Sequence, residues 1–367
     1  MVASKFLNAD FLRRVFDTGV EVAKPAVQMQ PLWTDQIAPW LNEVAPARER
    51  VWVYGAGKAS AAMASCLEVA CQHTERLGGF VVTRRGYSAP TSRVAVVEAA
   101  HPVPDEDGQR AAKRLMHELA NVPAGDAVIA LVSGGGSSLL SVPVGPVPFV
   151  DLQHLNRALL ACGAPIDEIN IVRKHVTRTL GGQLAALCTV PVFQVLVSDV
   201  PGDNPSHIAS GPFSPDDSSF QDAIDVLQRW GLQPPHSIQR YLERGKRGEV
   251  PETPGSRSGV FSRVRTTMIA SNAMSLDAVG KMLEGAGYHV LTLGDSLEGE
   301  ARDVARVVAA MALQVANEKG GWPKPPVAIV SGGECTVTLT DAEMRQAKGG
   351  RNSEFCWRFR CIWQRPT

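Results

Sequence analysis

The chain has 367 residues, 44% of them hydrophobic and 20% charged, so it is long enough for two domains that each bury a hydrophobic core. Its 37 lysines and arginines balance 37 aspartates and glutamates, which removes the electrostatic case for nucleic-acid binding. No apolar run approaches the length of a membrane span, and the N-terminal residues lack the apolar segment of a signal peptide. The seven cysteines show no Cys-x-x-Cys or Cys/His metal spacing. We therefore expect a cytoplasmic protein with reduced thiols and no membrane contact.

The apolar residues predict short strands that alternate with helices. Residues 8–26 have helical spacing and predict an amphipathic helix. Apolar, β-branched runs predict strands at residues 51–54, 78–83, 94–99, 127–133 and 192–198. Helices are predicted at residues 58–73, 105–120, 149–162 and 170–188. This alternation predicts an α/β fold with a Rossmann-like, doubly wound parallel sheet and helices on both faces.

The second half of the chain begins with a change in composition. Residues 236–259 are rich in charge, proline and glycine, which indicates a linker or an exposed excursion. Apolar runs after it predict a second α/β unit, at residues 265–271, 288–294, 326–333 and 335–340. We therefore expect an N-terminal domain over residues 1–245, a linker over 246–260 and a C-terminal domain over 261–367.

Glycine-rich turns follow several predicted strands, at the sheet edge where α/β proteins bind ligands. Each turn alone is also typical of a tight strand-to-helix connection. The candidate phosphate-binding residues are Gly55 and Gly57 beside Lys58 in GAGKAS; Ser133, Gly134, Gly135, Gly136 and Ser137 in SGGGSS; and Gly332, Gly333 and Glu334 in SGGE. The turn KGGRN adds Arg351 and Asn352. Because glycines admit a ligand close to backbone N–H groups and the basic residues add charge, the turns together predict an anion site.

The run SDVPGDNPSHIASGP, residues 198–212, leaves a predicted core strand with three prolines and two acidic residues. Its candidate site residues are Asp199, Asp203 and Asn204, whereas His207 is interpreted as a hydrogen-bonding loop residue. The run HPVPDEDG, residues 101–108, has two equal interpretations. It is either a helix start capped by Asp105 or a substrate contact that includes His101.

Two nucleotide-binding patterns can be compared with these turns. Neither glycine turn satisfies the P-loop pattern, and GAGKAS places Ser60 where the dinucleotide fingerprint has glycine or alanine. Arg84 and Arg85 follow the next strand, where that fingerprint expects an acidic residue, and could serve the 2′-phosphate of NADPH. The lysine, arginine and glycine turns, with aspartates for Mg²⁺, fit phosphoryl transfer better.

Eight ordered motifs resemble the type-II glycerate kinases, or glycerate 2-kinases, a family often labelled hydroxypyruvate reductase. They are GAGKAS, HPVPDEDG, SGGGSSLL, NIVRKHVTRTLGGQLA, SDVPGDNPSHIASGP, SNAMSLDA, SGGECTV and KGGRNSEF, and the resemblance runs from residue 8 to Phe355. It implies two α/β domains with the active site in the cleft between them, and ATP-dependent phosphorylation of D-glycerate with Mg²⁺. The family's catalytic lysine falls on Lys58 and its active-site arginine on Arg351.

The resemblance also implies roles for the acidic loop. One of Asp199 and Asp203 would orient or deprotonate the glycerate hydroxyl, and the other would help to hold Mg²⁺. We expect 2-phosphoglycerate as the favoured product, and a homodimer is left open. The alternative from another class is an NADPH-dependent hydroxypyruvate reductase.

The resemblance stops after Phe355. The family continues into a Leu/Ala-rich helix, whereas here the chain reads CWRFRCIWQRPT, which offers no coherent apolar face as a helix. With GC-rich codons, reading one base earlier gives LLALSLHLAAPD, so a single-base frameshift near codon 355 would explain the change. We therefore expect an aberrant tail over residues 356–367 and an incomplete second domain. An inactive copy of the kinase is the third alternative.

Overall fold

The computed structural model describes residues 8–46, 50–71, 73–317, 321–338 and 349–364. The chain divides into two compact units, one of Pro25–Ala270 and one of Met1–Lys24 with Ser271–Thr367. These bounds differ from the predicted ones, because the N-terminal helix belongs with the C-terminal unit and the larger unit extends to Ala270.

The larger unit is built on a six-stranded parallel sheet. Its strands are Val51–Ala56 (β1), Leu77–Arg84 (β2), Ala95–Ala99 (β3), Ala127–Ser133 (β4), Val192–Val197 (β5) and Val264–Ala270 (β6). The spatial order is β3-β2-β1-β4-β5-β6, which is the doubly wound order. The direction of winding reverses between β1 and β4, so the carboxyl ends of these two strands flank the crevice where such sheets bind ligands.

Helices cover both faces of this sheet, as predicted. One face carries Pro25–Leu32 (α2), Ala38–Val44 (α3) and Ser60–Ala70 (α4), and the other carries Glu106–Ala120 (α5), Gly136–Leu139 (α6) and Gln183–Leu187 (α9). The helices Phe149–Ala161 (α7), Ile166–Val176 (α8), Phe220–Arg229 (α10) and His236–Lys246 (α11) pack on one another in a separate core. Alternate residues of β1 enter opposite cores: Val53 packs with α3 and α4, and Tyr54 packs with α5. This two-sided burial explains why the strands read as nearly continuous apolar runs.

One strand lies in a different sheet from the one predicted. Residues 265–271 were expected to begin the second unit, but β6 is the edge strand of the first sheet and pairs with β5. Gln194 of β5 is fully buried, and its side-chain oxygen accepts a hydrogen bond from the hydroxyl of Thr266 at 3.0 Å. The prediction was wrong because an apolar run shows that a strand forms and does not show which sheet it joins.

The segment 236–259 is only partly an excursion. Its first half forms α11, whose Ile238 and Leu242 are buried in a core shared with α7, α8 and α10. Gly245 completes this stripe at a spacing of three residues, and the charges lie on the other face. The predicted linker, 246–260, is also attached to the larger unit, since the Glu252 carboxylate accepts a hydrogen bond from the backbone N–H of Phe220 at 3.1 Å.

The smaller unit contains the helices Ala9–Val22 (α1), Asn272–Gly285 (α12), Ala301–Ala316 (α13) and Arg351–Trp363 (α14), with the strands His289–Thr292 (β7), Gly299–Glu300 (β8), Val327–Val330 (β9) and Cys335–Thr336 (β10). Strand β7 pairs with β9, and β8 with β10, both parallel. Helix α1 packs on α12, where the Ser275 hydroxyl donates to the carbonyl of Gly19 at 2.9 Å. The strand predicted at 335–340 is described only to residue 338.

Most of the tail after Phe355 forms helix α14, none of whose residues is buried. Phe355, Phe359 and Trp363 are spaced four residues apart, and their rings stack with centroids 6.4 and 6.2 Å apart. Stacking at this spacing supports the helix, while Trp357 and Trp363 remain exposed. Within the described ranges, no helix is both long and apolar enough to cross a bilayer.

Replacing Gly245 by alanine tests whether residues 236–246 are folded as α11. An added Cβ would lie 2.2 Å from the Phe220 ring, so we expect the free energy of unfolding to fall by about 1–3 kcal/mol in a urea titration. Gly285→Ala is the control, because a Cβ there meets nothing within 4 Å and alanine favours a helix. A neutral or stabilising effect of Gly245→Ala would show that this segment is not packed.

Candidate active site

The GAGKAS turn carries the chain from β1 to α4 in close contact with β4. A Cβ at Gly55 would lie 1.9 Å from the carbonyl oxygen of Leu131, and a Cβ at Gly57 would lie 2.1 Å from the Ser133 hydroxyl oxygen. Gly57 also has a φ of +139°, which side chains rarely adopt. Both glycines are therefore required for the close approach of the two strands.

Hydrogen bonds join this turn to the SGGGSS turn. The backbone N–H of Lys58 donates to the carbonyl of Gly134 at 2.9 Å, and that of Ala59 donates to the Ser133 hydroxyl at 3.0 Å. The Ser60 hydroxyl donates to the carbonyls of Gly57 and Val82. The start of α4 is thus held directly beside the second glycine turn.

The second turn brings together three of the predicted site residues. Asp199 lies against Gly134, where a Cβ would be 2.0 Å from a carboxylate oxygen. A Cβ at Gly135 would lie 2.9 Å from Nε2 of His101 and 3.2 Å from Cε of Lys58. The Lys58 Nζ is 3.4 Å from Asp199 Oδ2, and both side chains keep partial exposure, 39% and 52%. Three chemically active groups therefore surround a surface that only glycine leaves open.

The electrostatics of this cluster favour an anion. Burial, together with the nearby charges of Lys58, Arg84 and Arg173, lowers the pKa of His101 to about 4, although Asp199 opposes this shift. His101 is consequently neutral near pH 7. Three cations and one carboxylate leave a positive field above the glycine turn.

The SDVPGDNPSHIASGP loop is held in a strained conformation. Asp203, Ala209 and Ser210 have φ values of +54°, +52° and +56°, a region that costs a non-glycine residue about 1–3 kcal/mol. The Ser210 hydroxyl donates to Asn170 of α8 at 2.7 Å and lies 2.8 Å from the hydroxyl of Ser137. Such strain persists only where surrounding contacts fix it, and it is typical of functional loops.

Two polar residues of the same loop behave differently from each other. The side chain of Asn204 accepts a hydrogen bond from the backbone N–H of Ser206 at 3.0 Å and so braces the turn. Asp203 has a buried oxygen, Oδ1, with no hydrogen-bond partner in the described part of the chain. A buried carboxylate oxygen without a hydrogen-bond partner costs folding free energy, and such an oxygen is suited to bind a cation.

The candidate residues of the smaller unit form their own cluster. Arg351 begins α14 and forms an ion pair with Glu334. Gly333 has a φ of +120° and no room for a side chain, since a Cβ would lie 2.2 Å from the carbonyl of Leu297. Asn352 lies beside Arg351 and is exposed. The structure therefore brings Arg351 and Glu334 together.

The HPVPDEDG run contains a helix cap. Asp105 accepts a hydrogen bond from the N–H of Gly108 at 2.9 Å at the start of α5, which confirms the interpretation as a cap. Arg85 forms ion pairs with Asp105, at 2.7 Å, and with Asp107. Two carboxylates therefore already engage Arg85, one of the two arginines on which the NADPH alternative depends. Arg84 lies over the ring of Tyr87 at 5.1 Å.

Sequence reasoning missed the contribution of α8. This helix places Asn170 against the strained loop, where its side-chain N–H donates to the carbonyl of His207 at 3.1 Å. The same helix carries Arg173, which is 6% exposed and whose pKa burial lowers to about 10. The signal available in the sequence was the run of basic residues RKH at the end of α8, inside NIVRKHVTRTLGGQLA.

Comparisons with known proteins identify the family. Residues 11–243 match a family described as a domain of unknown function, DUF4147. The chain is 37% identical over 307 residues to the glycerate 2-kinase of Pyrococcus horikoshii, a match that covers 83% of this chain and 68% of that protein. The crystal structure of a Thermotoga maritima glycerate kinase superposes with a TM-score of 0.76 at 30% identity, over 96% of this chain and 80% of that one. The chain belongs to the glycerate kinase family.

Another relative of the chain has a different name. A protein of Agrobacterium vitis, provisionally named a hydroxypyruvate reductase, is 42% identical over 345 residues, which are 94% of this chain and 74% of that protein. That label and the kinase names therefore occur among relatives of the same chain. The expected α/β fold is confirmed by the sheet and by the structural match.

Replacing Lys58 by glutamine tests the electrostatics around His101. Because the Lys58 charge disfavours the imidazolium, its loss should raise the His101 pKa above about 4, while burial keeps it below the ordinary 6.5. An NMR titration of the imidazole C2–H measures this pKa. Lys24→Gln, at an exposed lysine paired with Glu21, should leave it unchanged. A wild-type pKa near 6.5 would contradict the cluster.

The lowered pKa of His101 fixes the sign of its effect on the pH dependence of the free energy of unfolding. Between pH 6.5 and about 4 the unfolded chain binds a proton at His101 that the folded chain does not. The contribution of His101 to the free energy of unfolding is therefore fully present above pH 6.5 and is lost as the pH falls towards 4. His101→Gln should flatten this part of the stability profile, and an unchanged profile would contradict the prediction.

Proposed function

We propose that this chain transfers the γ-phosphoryl group of ATP to D-glycerate, with 2-phosphoglycerate as the favoured product. The observation that carries the proposal is the convergence of Lys58 and Asp199 on the glycine turn 134–136. Phosphoryl transfer needs positioning and charge neutralisation more than covalent chemistry, and this cluster offers both. Its relatives named glycerate kinases supply the identity of the acceptor.

The phosphates would lie against backbone and positive charge. The glycine turn leaves room for oxygens where a side chain would clash, and the N-terminus of α4 contributes its dipole. Lys58 would neutralise charge on the transferred group. Arg351, which Glu334 holds in the smaller unit, is the second cation that the family resemblance assigns to the reaction.

The acceptor hydroxyl needs a group that orients it and removes its proton. Asp199 suits this role because its carboxylate is partly exposed, so a substrate can reach it, and lies 3.4 Å from the Lys58 ammonium beside the glycine turn. His101 is neutral and close by, so its ring can exchange hydrogen bonds without adding charge.

Mg²⁺ is the cofactor that this chemistry implies. The described residues contain no group of three or more His, Cys, Asp or Glu side chains that could hold a metal alone. Mg²⁺ in kinases is usually bound by one or two carboxylates together with phosphates and water, so a single aspartate is sufficient. We assign this aspartate as Asp203, whose buried Oδ1 has no partner. When bound, the ion would neutralise the β- and γ-phosphate oxygens.

We place the reaction in the cytoplasm, where ATP is supplied. All seven cysteines lie in the described ranges and none forms a disulfide there, which suits a reducing compartment. The reductase alternative requires a cation for the 2′-phosphate of NADPH. Arg85 is already paired with Asp105 and Asp107, so that alternative depends on Arg84 alone.

The proposal is tested by a coupled assay of ADP release with D-glycerate, ATP and Mg²⁺. Lys58→Gln and Asp199→Asn should each lower kcat severely, for Lys58 by about 10³–10⁵-fold if it acts as charge-supplying residues do in other kinases. Lys281→Gln, at an exposed lysine paired with Asp277, should leave kcat unchanged.

The product and the alternative are tested alongside. Phosphorus NMR of the product distinguishes phosphorylation at the 2-hydroxyl from the 3-hydroxyl. Oxidation of NADPH by hydroxypyruvate without ATP, together with no glycerate-dependent ADP release, would contradict the kinase and favour the reductase.

A further inference from the structure

Helix α8 carries three consecutive basic residues that are all buried, Arg173, Lys174 and His175. Two of them have acidic partners. The Lys174 Nζ lies 3.2 Å from Asp216, and the Nε2 of His175 lies 3.2 Å from Glu252. Arg173 differs, because no carboxylate of the described residues lies within 4 Å of it.

The guanidinium of Arg173 is fixed through one edge only. Its Nε donates a hydrogen bond to the side-chain oxygen of Asn156 at 2.9 Å. The amide of Asn156 is itself fixed, since it donates to the carbonyl of Leu152 at 2.9 Å. Neither Nη atom donates a hydrogen bond within the described part of the chain. The terminal edge of the guanidinium is thus oriented and available.

A buried cation without a counter-ion costs folding free energy. The position of Arg173 shows where that counter-ion would come from. Its charge acts on His101, which lies against Gly135 beside Lys58. One turn before it, Asn170 fixes α8 to the strained loop through Ser210. Arg173 is therefore close enough to His101 for its charge to act there, and it is held by Asn156 on a helix that is bonded to the strained loop.

We propose that Arg173 binds the carboxylate of the substrate, an inference that rests on the proposed glycerate kinase activity. A planar guanidinium with two free Nη atoms matches a carboxylate in a bidentate pair. The phosphates already have donors in the glycine turn, the N-terminus of α4 and Lys58. The substrate class is then a small hydroxy acid, selected by its carboxylate, with its hydroxyl directed towards Asp199.

Replacing Arg173 by methionine tests this assignment. Losing a charged hydrogen-bonded pair should raise KM for D-glycerate about 10- to 150-fold, while KM for ATP stays unchanged. The preference for D-glycerate over D-glyceramide, which lacks the negative charge, should fall by a similar factor. Arg173→Lys keeps the charge without the planar fork and should give an intermediate KM. Arg178→Met is the matched control, because Arg178 is exposed and lies just beyond α8.

A second readout separates binding from a structural role. Thermal unfolding without ligand should be no easier for Arg173→Met than for wild type, because the change removes an uncompensated buried charge. The stabilisation that D-glycerate alone gives the wild type should be lost. An unfolding midpoint lowered by the substitution, with the glycerate preference retained, would show a structural role and overturn the inference.

The outcomes also separate this inference from the proposed function. Wild-type protein that neither binds nor phosphorylates D-glycerate would overturn the proposed function itself. An active wild type, with unchanged KM and preference in Arg173→Met, would overturn only the role of Arg173. A rise in KM for ATP with no change for D-glycerate would assign Arg173 to the nucleotide instead.

Discussion

The close contact between the ends of β1 and β4 is the constraint on which the candidate site depends. Gly55 and Gly57 let the first turn touch β4, and Gly134 lets Asp199 lie on the second turn. A single Cβ at any of these positions would meet an atom at about 2 Å. This contact places the N-terminus of α4, Lys58 and Asp199 together at the point where the sheet reverses its winding.

The charges follow from that geometry. Lys58, Arg84 and Arg173 act on His101, and Asp199 is the acidic group that opposes them. In the free protein the negative charge of Asp199 does not balance these cations. Because Arg173 is buried, its unbalanced charge costs folding free energy. On the proposed function, an anionic substrate would supply the missing charge, and the site would select anions for that reason.

The sequence predicted the features that depend on local pattern. The strands of the first sheet and the glycine turns follow from apolar runs and from composition, and Lys58 with Asp199 from their places after strands. The sheet partner of β6 depends on pairs such as Val192 with Val264, which are far apart in the chain and which no local pattern encodes. Arg173 was missed because the sequence does not show which basic residue of α8 lacks an acidic partner. Only the folded chain shows that Lys174 pairs with Asp216 and that Arg173 has no such partner. Helix α11 was missed because a charged surface hid a three-residue apolar stripe.

The most direct test is a crystal structure of the chain with D-glycerate, Mg²⁺ and a non-hydrolysable ATP analogue. We expect phosphate oxygens on the backbone of residues 134–136, within hydrogen-bond distance of the Lys58 Nζ. We also expect the glycerate hydroxyl beside Asp199. Phosphates bound elsewhere, with Lys58 still paired to Asp199 and no ligand oxygen near it, would contradict the account.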